Sequence, residues 1–391
     1  MRILITAQAG YSHLVPLVLP VAELARSAGH EVAVATGPDM TDLIEKRGLE
    51  ALPLPQVVPL PKALAAEGRS MPEGFGQVTV ELEPEFFANN FVSALGRRSA
   101  DDLLVAMEKW RPGLVLREST EFGGYLAAER LGVPHAALDI APMAPYSHPV
   151  VTECLNQQRE RLGLEAVDDP WHALRPFRAG VVPEEFYPAN SRLPGARYYR
   201  PSLPDERDRL DPAIAELPLD RPVVLASLGS QASRFPAGAR LLDTVIEALG
   251  QLPVTGVVAI GADRDPRQWQ GARADNVHLT PFVQQDLLLQ SSDLFITHTG
   301  FNGTREAIAA GVPMVAVPMF AEQSLNATRL EQLGIGRRIN VEDLTRDSLA
   351  QAVRTLLEDR TFRACAQGLQ RRGHALPPLQ QIVEDLAALA R

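Results

Sequence analysis

Cysteine is nearly missing from this 391-residue chain, which has only Cys154 and Cys365. The two lie far apart and form no metal-spaced or redox pair, which argues for a reducing compartment in which both are plain interior residues. Long apolar runs are missing too: none approaches the ~20 residues of a membrane span. The opening MRILITAQAG is apolar, but it is too short for a full signal-peptide core and runs straight into folded-looking pattern. A cytoplasmic protein with no membrane partner is expected. Positive charge is in deficit, with 38 Lys and Arg against 48 Asp and Glu and a net charge of −10. Nucleic acid and anionic membranes need basic patches, so the balance excludes both as partners. Any phosphate must be held by a local device. Short-period repeats and low-complexity segments are lacking as well.

What is present is apolar mass and alternation. The length exceeds that of a usual single core, and an apolar content of 46% is enough for two. Buried strands are expected at Arg2 to Ala7 and Glu31 to Ala35, with a helix from Leu14 to Ala28 between them that stops at Gly29. Further strands at Leu114 to Arg117 and His135 to Ile140 flank a helix from Gly123 to Leu131. Between them, Pro53 to Gly96 breaks the pattern with prolines and the aromatics Phe75, Phe86, Phe87 and Phe91, and reads as an insertion over strand ends. Ser191 to Arg221 is rich in Pro, Arg and Asp, loses periodicity and reads as a linker. The alternation then restarts with strands at Pro222 to Leu228, Val254 to Ile260, His278 to Thr280, Leu294 to Thr297 and Met314 to Val317. An α/β protein of two Rossmann-like domains facing a central cleft follows. A final amphipathic helix is expected at Leu379 to Ala390.

The most specific stretch is Thr297 to Gln323, THTGFNGTREAIAAGVPMVAVPMFAEQ. A strand ends at His298, glycines follow at Gly300 and Gly303, and a helical pattern opens at Thr304. A strand, a tight turn and a helix N-terminus leave several N–H groups aimed at one point, where the helix dipole adds roughly half a positive charge. An anion is the natural occupant. The glycines are read as permitting positive φ and close backbone approach, with Thr304 adding a hydroxyl and His298 an imidazole donor.

This stretch resembles the donor-binding signature of GT-B nucleotide-sugar glycosyltransferases, in the inverting family that includes plant secondary-metabolite and bacterial antibiotic enzymes. The plant form opens H-C-G-W-N-S-T, and HTGFNGTREA keeps its spacing with Phe301 for Trp and Gly303 for Ser. The closing acid-Gln pair is matched by Glu322 and Gln323. The resemblance implies that His298, Gly300, Asn302, Gly303 and Thr304 hold the diphosphate, that Glu306 reaches the ribose, and that Glu322 and Gln323 hold sugar hydroxyls. It also implies that Phe282 stacks on the nucleobase while the Val283 backbone meets its edge. PFVQQDLL stands where the family has a W-x-P-Q-like run, and Gln284-Gln285 departs from that form. In SLGS, Ser230 is expected to cap the phosphate from the other side.

The family places a catalytic histidine in a G-x-x-H-x-x-P turn after its first strand, and Gly10, His13 and Pro16 match it. His13 is thus the expected general base, with Gly10 counted among the donor contacts. A base histidine works better with a carboxylate fixing its tautomer. Glu118, where the family has Asp, is the expected partner, and Asp139 the reserve. Asp263-Arg264-Asp265 spells a D-x-D, but it follows an apolar strand, precedes a proline and reads as a solvated turn. No metal and no other cofactor is expected, the leaving charge being met by His298, Thr304 and the helix N-terminus.

The expected division is 1–205 for the acceptor domain, 221–375 for the nucleotide-sugar domain and 376–391 for a helix crossing back to the first. The expected partners are a nucleotide-sugar donor, by resemblance a dTDP-deoxysugar, and an apolar natural-product aglycone; a homodimer is compatible with the sequence. A nucleotide-sugar 2-epimerase would share the architecture, but the apolar insertion and the placement of His13 weigh against it. An inactive GT-B partner protein would have lost His13 or the diphosphate turn, and the sequence has both.

Overall fold

A computed structural model describes residues 1–390 apart from 73–76, 143, 201–207, 219 and 230–235. Ser230 and Phe75 therefore lie outside the described residues. The chain divides into two compact units, the first made of Met1–Met71, Leu82–Arg200 and Pro377–Arg391, the second of Pro72–Glu81 and Pro201–Leu376.

The first unit carries seven parallel strands: β1 (Arg2–Thr6), β2 (Glu31–Thr36), β3 (Glu50–Pro53), β4 (Leu114–Glu118), β5 (His135–Leu138), β6 (Arg178–Gly180) and β7 (Arg197–Tyr198). Their order is β3-β2-β1-β4-β5-β6-β7. Strands β1, β4 and β5 are near-continuous runs of buried residues, as a sheet covered on both faces requires. The order reverses between β1 and β4, the switch point at which open α/β sheets take their ligands. Helix Gly123–Leu131 matches its expected span, ending at Gly132 with φ +67. The helix expected from Leu14 instead begins as a short turn, Tyr11–His13, passes through a π turn at Leu14–Val18 and becomes α-helical only at Leu19–Ser27. π turns of this kind concentrate at functional sites.

One other expectation is corrected. Part of the supposed linker is structure: β7 is a short edge strand paired with β6, too brief to give a periodic signal. Within the insertion, Phe87 is fully buried and its ring meets Phe91, Phe122 and Tyr146 at centroid distances of 5.4, 6.0 and 5.7 Å. The C-terminal helix Gln381–Leu389 belongs to the first unit, where Asp385 accepts from the Tyr199 hydroxyl at 2.5 Å and pairs with Arg197.

The second unit has six parallel strands: β8 (Val223–Ser227), β9 (Thr255–Ala259), β10 (Val277–Thr280), β11 (Leu294–Thr297), β12 (Met314–Ala316) and β13 (Gly336–Arg338). Their order is β10-β9-β8-β11-β12-β13, so the switch point lies between β8 and β11. Helix Arg360–His374 buries Phe362, Ala366, Leu369 and Gly373, a single helical stripe. Cys365 falls off that stripe and is exposed, contrary to expectation, whereas Cys154 is buried. No helix among the described residues is long and apolar enough to cross a membrane.

Candidate active site

In the first unit, the turn after β1 and the end of β4 meet at the switch point. His13 Nδ1 lies 3.0 Å from Glu118 Oε1, with the ring partly exposed and the carboxylate fully buried. Gly10 is extended, so its need for glycine is spatial: a Cβ there would come within 3.0 Å of His13 Cδ2. Glu118 is tied on both oxygens. Thr120 donates its N–H to Oε2 at 2.6 Å and its hydroxyl to Oε1 at 2.8 Å. Burial works against the charge on Glu118, but the neighbouring His13 and the two Thr120 donors outweigh it and hold the carboxyl below its ordinary range.

Arg117 fixes this corner from beneath. Fully buried, it donates through Nη1 to the carbonyls of Ser119 and Glu121 at 3.1 and 3.0 Å, and through Nη2 to that of Ala173. Sequence reasoning missed a second buried carboxylate, Glu121, which accepts from Thr6 Oγ1 at 2.5 Å, Ser99 Oγ at 2.7 Å and the Gly124 N–H at 2.8 Å. Nothing in the linear pattern separates it from a loop acid. Asp139 is committed elsewhere, its Oδ2 2.7 Å from buried Arg178 Nε. Glu118 is thus the carboxylate that meets His13.

In the second unit, β11 delivers His298 to a turn leading into helix Phe301–Ala310. The positive φ expected of the glycines falls instead on Thr299, at +60, while Gly300 has φ −57 as the helix N-cap. A β-branched residue in that region is an outlier, costing roughly 1–2 kcal/mol. Surrounding bonds over-determine it: the Thr299 hydroxyl donates to the Gln323 carbonyl at 3.0 Å, and Asn326 Nδ2 donates to the Thr299 carbonyl at 2.9 Å. The glycines serve close approach. A Cβ on Gly300 would lie 2.5 Å from His298 Nε2, and one on Gly229, whose φ is +77, would lie 2.6 Å from His298 Cε1. The imidazole is seated between two glycine backbones. Gly303, one turn into the helix, has Gln285 Nε2 at 3.1 Å from where a Cβ would stand.

Burial pushes the His298 pKa down to about 4, against a smaller upward pull from its hydrogen bond to the Ser227 carbonyl. The ring is neutral at ordinary pH. Its Nδ1 and the hydroxyl of fully buried Thr304 are enclosed polar atoms with no hydrogen-bond partner among the described residues. An unspent donor hydroxyl at the head of a helix fits an anionic ligand. Asn302 is the second residue of that helix.

Phe282 is not a core aromatic: it is 65% exposed, and with Val283 and Gln284 it lines a cavity of about 490 Å³ closed by Asp208–Asp211 and Ile214. Val283 is buried beneath it. Glu306 accepts from Gln285 Nε2 at 2.6 Å, and burial raises its pKa against the pull of Arg305 and Gln285. Gln285, which departs from the family pattern, is thereby joined to Glu306. Glu322 Oε1 accepts from the Phe301 N–H at 3.2 Å, a carboxylate at a helix N-terminus. Gln323 is buried, and its Oε1 accepts from the N–H groups of Met319 and Phe320 at 2.9 and 3.2 Å. In the D-x-D, Asp265 accepts from the Arg267 N–H at 3.0 Å and pairs with its guanidinium.

Two family models match the chain. One, described as UDP-glucoronosyl and UDP-glucosyl transferase, takes in residues 218–383, and the other, Erythromycin biosynthesis protein CIII-like, N-terminal domain, takes in 24–173. The L-demethylnoviosyl transferase of Streptomyces niveus is 29% identical over 405 residues, covering 100% of this chain and 99% of its own. The oleandomycin glycosyltransferase of Streptomyces antibioticus is 28% identical over 378 residues, covering 90% and 82%. Among solved structures, glycosyltransferase VinC in complex with dTDP superposes with a TM-score of 0.77 at 26% identity, covering 100% of this chain and 99% of that one. The chain is a glycosyltransferase of GT-B fold that acts on a sugar donor, and it is similar along its length to enzymes of antibiotic and natural-product type.

Proposed function

We propose that this enzyme is an inverting transferase that moves a sugar from a dTDP-sugar to a hydroxyl of an apolar aglycone, with His13 as general base. The observation that carries the reading is the His13–Glu118 hydrogen bond at the carboxyl end of β1 and β4. In the reaction, the acceptor oxygen attacks the anomeric carbon in line as His13 takes its proton, the bond to the diphosphate breaks, and Glu118 stabilises the imidazolium. The leaving diphosphate is received by the N-terminus of helix Phe301–Ala310, with the Thr304 hydroxyl as a donor and the His298 ring packed beside it. Phe282 carries the base, Glu306 the ribose, and Glu322 with Gln323 the sugar. Transfer proceeds without a metal, a reading supported by the engagement of Asp265 with Arg267 in its own turn. The relatives' names as transferases weigh against an epimerase and an inactive partner protein. We further propose a cytoplasmic enzyme, a reading supported by two unpaired cysteines.

Thermal melts and calorimetry with dTDP and UDP test the donor class. Selective binding to the native state raises apparent stability by mass action. We expect dTDP to raise the midpoint more than UDP at equal concentration. Equal shifts would remove the thymidine preference, and no shift with either would remove the donor site. Phe282→Ala should weaken nucleotide binding by about 1–3 kcal/mol, the worth of one base–aromatic stack, read as Kd in the same titration.

A further inference from the structure

Residues 72–81 come from the first half of the chain yet belong to the second unit. Their described end lies along the loop between β12 and helix Gln323–Gln332. The Thr79 hydroxyl is used in both directions: it donates to the Pro318 carbonyl at 2.8 Å and accepts from the Val341 N–H at 3.0 Å. The Val80 N–H donates to the Met319 carbonyl at 2.9 Å. The Thr79 N–H donates to Glu342 at 3.1 Å, and Arg338 Nη2 reaches Glu81 at 2.7 Å.

The loop is thereby gripped on two sides. Thr79 and Val80 hold the carbonyls of Pro318 and Met319, while Gln323 Oε1 holds the N–H groups of Met319 and Phe320. Between these grips Ala321 adopts φ +56, a left-handed turn without glycine, and Glu322 follows with its carboxylate on the Phe301 N–H. A non-glycine residue stays in that region only where neighbours enforce it.

We propose that Thr79–Glu81 is a positioning strap that sets the Glu322–Gln323 loop for the glycosyl moiety of a nucleoside-diphosphate sugar, and so governs how the sugar, as distinct from the nucleotide, is held. The inference rests on the donor-site reading above. The strap bonds the carbonyls of Pro318 and Met319, whereas the Thr299 turn is fixed by the Gln323 backbone carbonyl and by Asn326, both within helix Gln323–Gln332, and His298 is seated by Ser227. Loosening the strap therefore separates sugar from nucleotide recognition.

The test is calorimetry on the full chain with dTDP and dTDP-glucose, or with UDP and UDP-glucose if wild type prefers uridine. Thr79→Val removes both hydroxyl bonds and keeps the shape; Thr79→Ser keeps the bonds. We expect Thr79→Val to weaken the sugar nucleotide about tenfold, the scale of one or two hydrogen bonds, to leave the bare nucleotide unchanged, and to be rescued by Thr79→Ser. Equal weakening of both ligands, no change in either, or a failure of Thr79→Ser to restore binding would overturn the strap while leaving the donor site standing. A wild type that binds neither nucleotide overturns both. Should Thr79→Val be unfolded at the assay temperature, Glu81→Ala, at the exposed end of the strap, should show the same selective loss and overturns the proposal if it does not.

Discussion

Replacing His13 by alanine lowers kcat by about 10²–10⁴-fold, the usual contribution of a positioned general base, and leaves nucleotide affinity at its wild-type value. Two structural facts separate these effects. His13 sits on the first unit, in the turn closing β1, and every donor contact proposed above except Gly10 lies in the second. The ring is also partly exposed, and the buried Glu118 keeps its two Thr120 donors when the imidazole is removed, so the fold is expected to remain intact. Single-turnover rates alongside calorimetric Kd values for dTDP decide the matter. Unchanged turnover would remove the base role; a parallel loss of nucleotide binding would show that the substitution acts through the fold.

Glu118→Gln should cost less than His13→Ala, about 10- to 100-fold in kcat, with KM nearly unchanged. Both oxygens of the native carboxylate accept: one from His13 and the Thr120 hydroxyl, the other from the Thr120 N–H and hydroxyl. An amide has one oxygen. With its nitrogen toward Thr120, two donors collide; with its nitrogen toward His13, it selects the tautomer whose outer nitrogen is already protonated. Either arrangement harms the base. The pH dependence has a defined sign. The folded carboxyl titrates below its unfolded value of about 4.3, so its stabilisation is complete above that value and is lost as pH falls through the folded pKa. Melts across the acid range should therefore show a shallower decline in Glu118→Gln than in wild type. Parallel declines would mean that the carboxylate carries no linkage, and unchanged kcat that it does not support His13.

The elements legible in the sequence were those with a strong local period or punctuation. Helix Gly123–Leu131 has Gly132 to end it, and the buried strands β1, β4, β8 and β11 are apolar runs bounded by turn residues. The His298–Glu306 stretch was legible because a strand, a turn and a helix N-terminus follow one another without interruption. What escaped depends on contacts distant in sequence. Thr299 is left-handed because Gln323 and Asn326 hold it there, and no propensity of threonine announces that. The attachment of Thr79 to Pro318 spans 239 positions, and the pairing of β7 with β6 needs only two residues. Glu121 resembled any loop acid until Thr6 and Ser99 closed on it. Cys365 was misread from composition, although the 362-366-369-373 spacing of its helix already turned it outward.

The seat of His298 between Gly229 and Gly300 also bears on how kinetic data can be interpreted. With its proton affinity suppressed to about 4, this imidazole stays uncharged throughout the range in which transferases are assayed. The acidic limb of a kcat/KM profile, which reports the unliganded enzyme, is then free of any signal from His298. An inflection near neutrality that disappears in His13→Ala would be attributed to that residue directly.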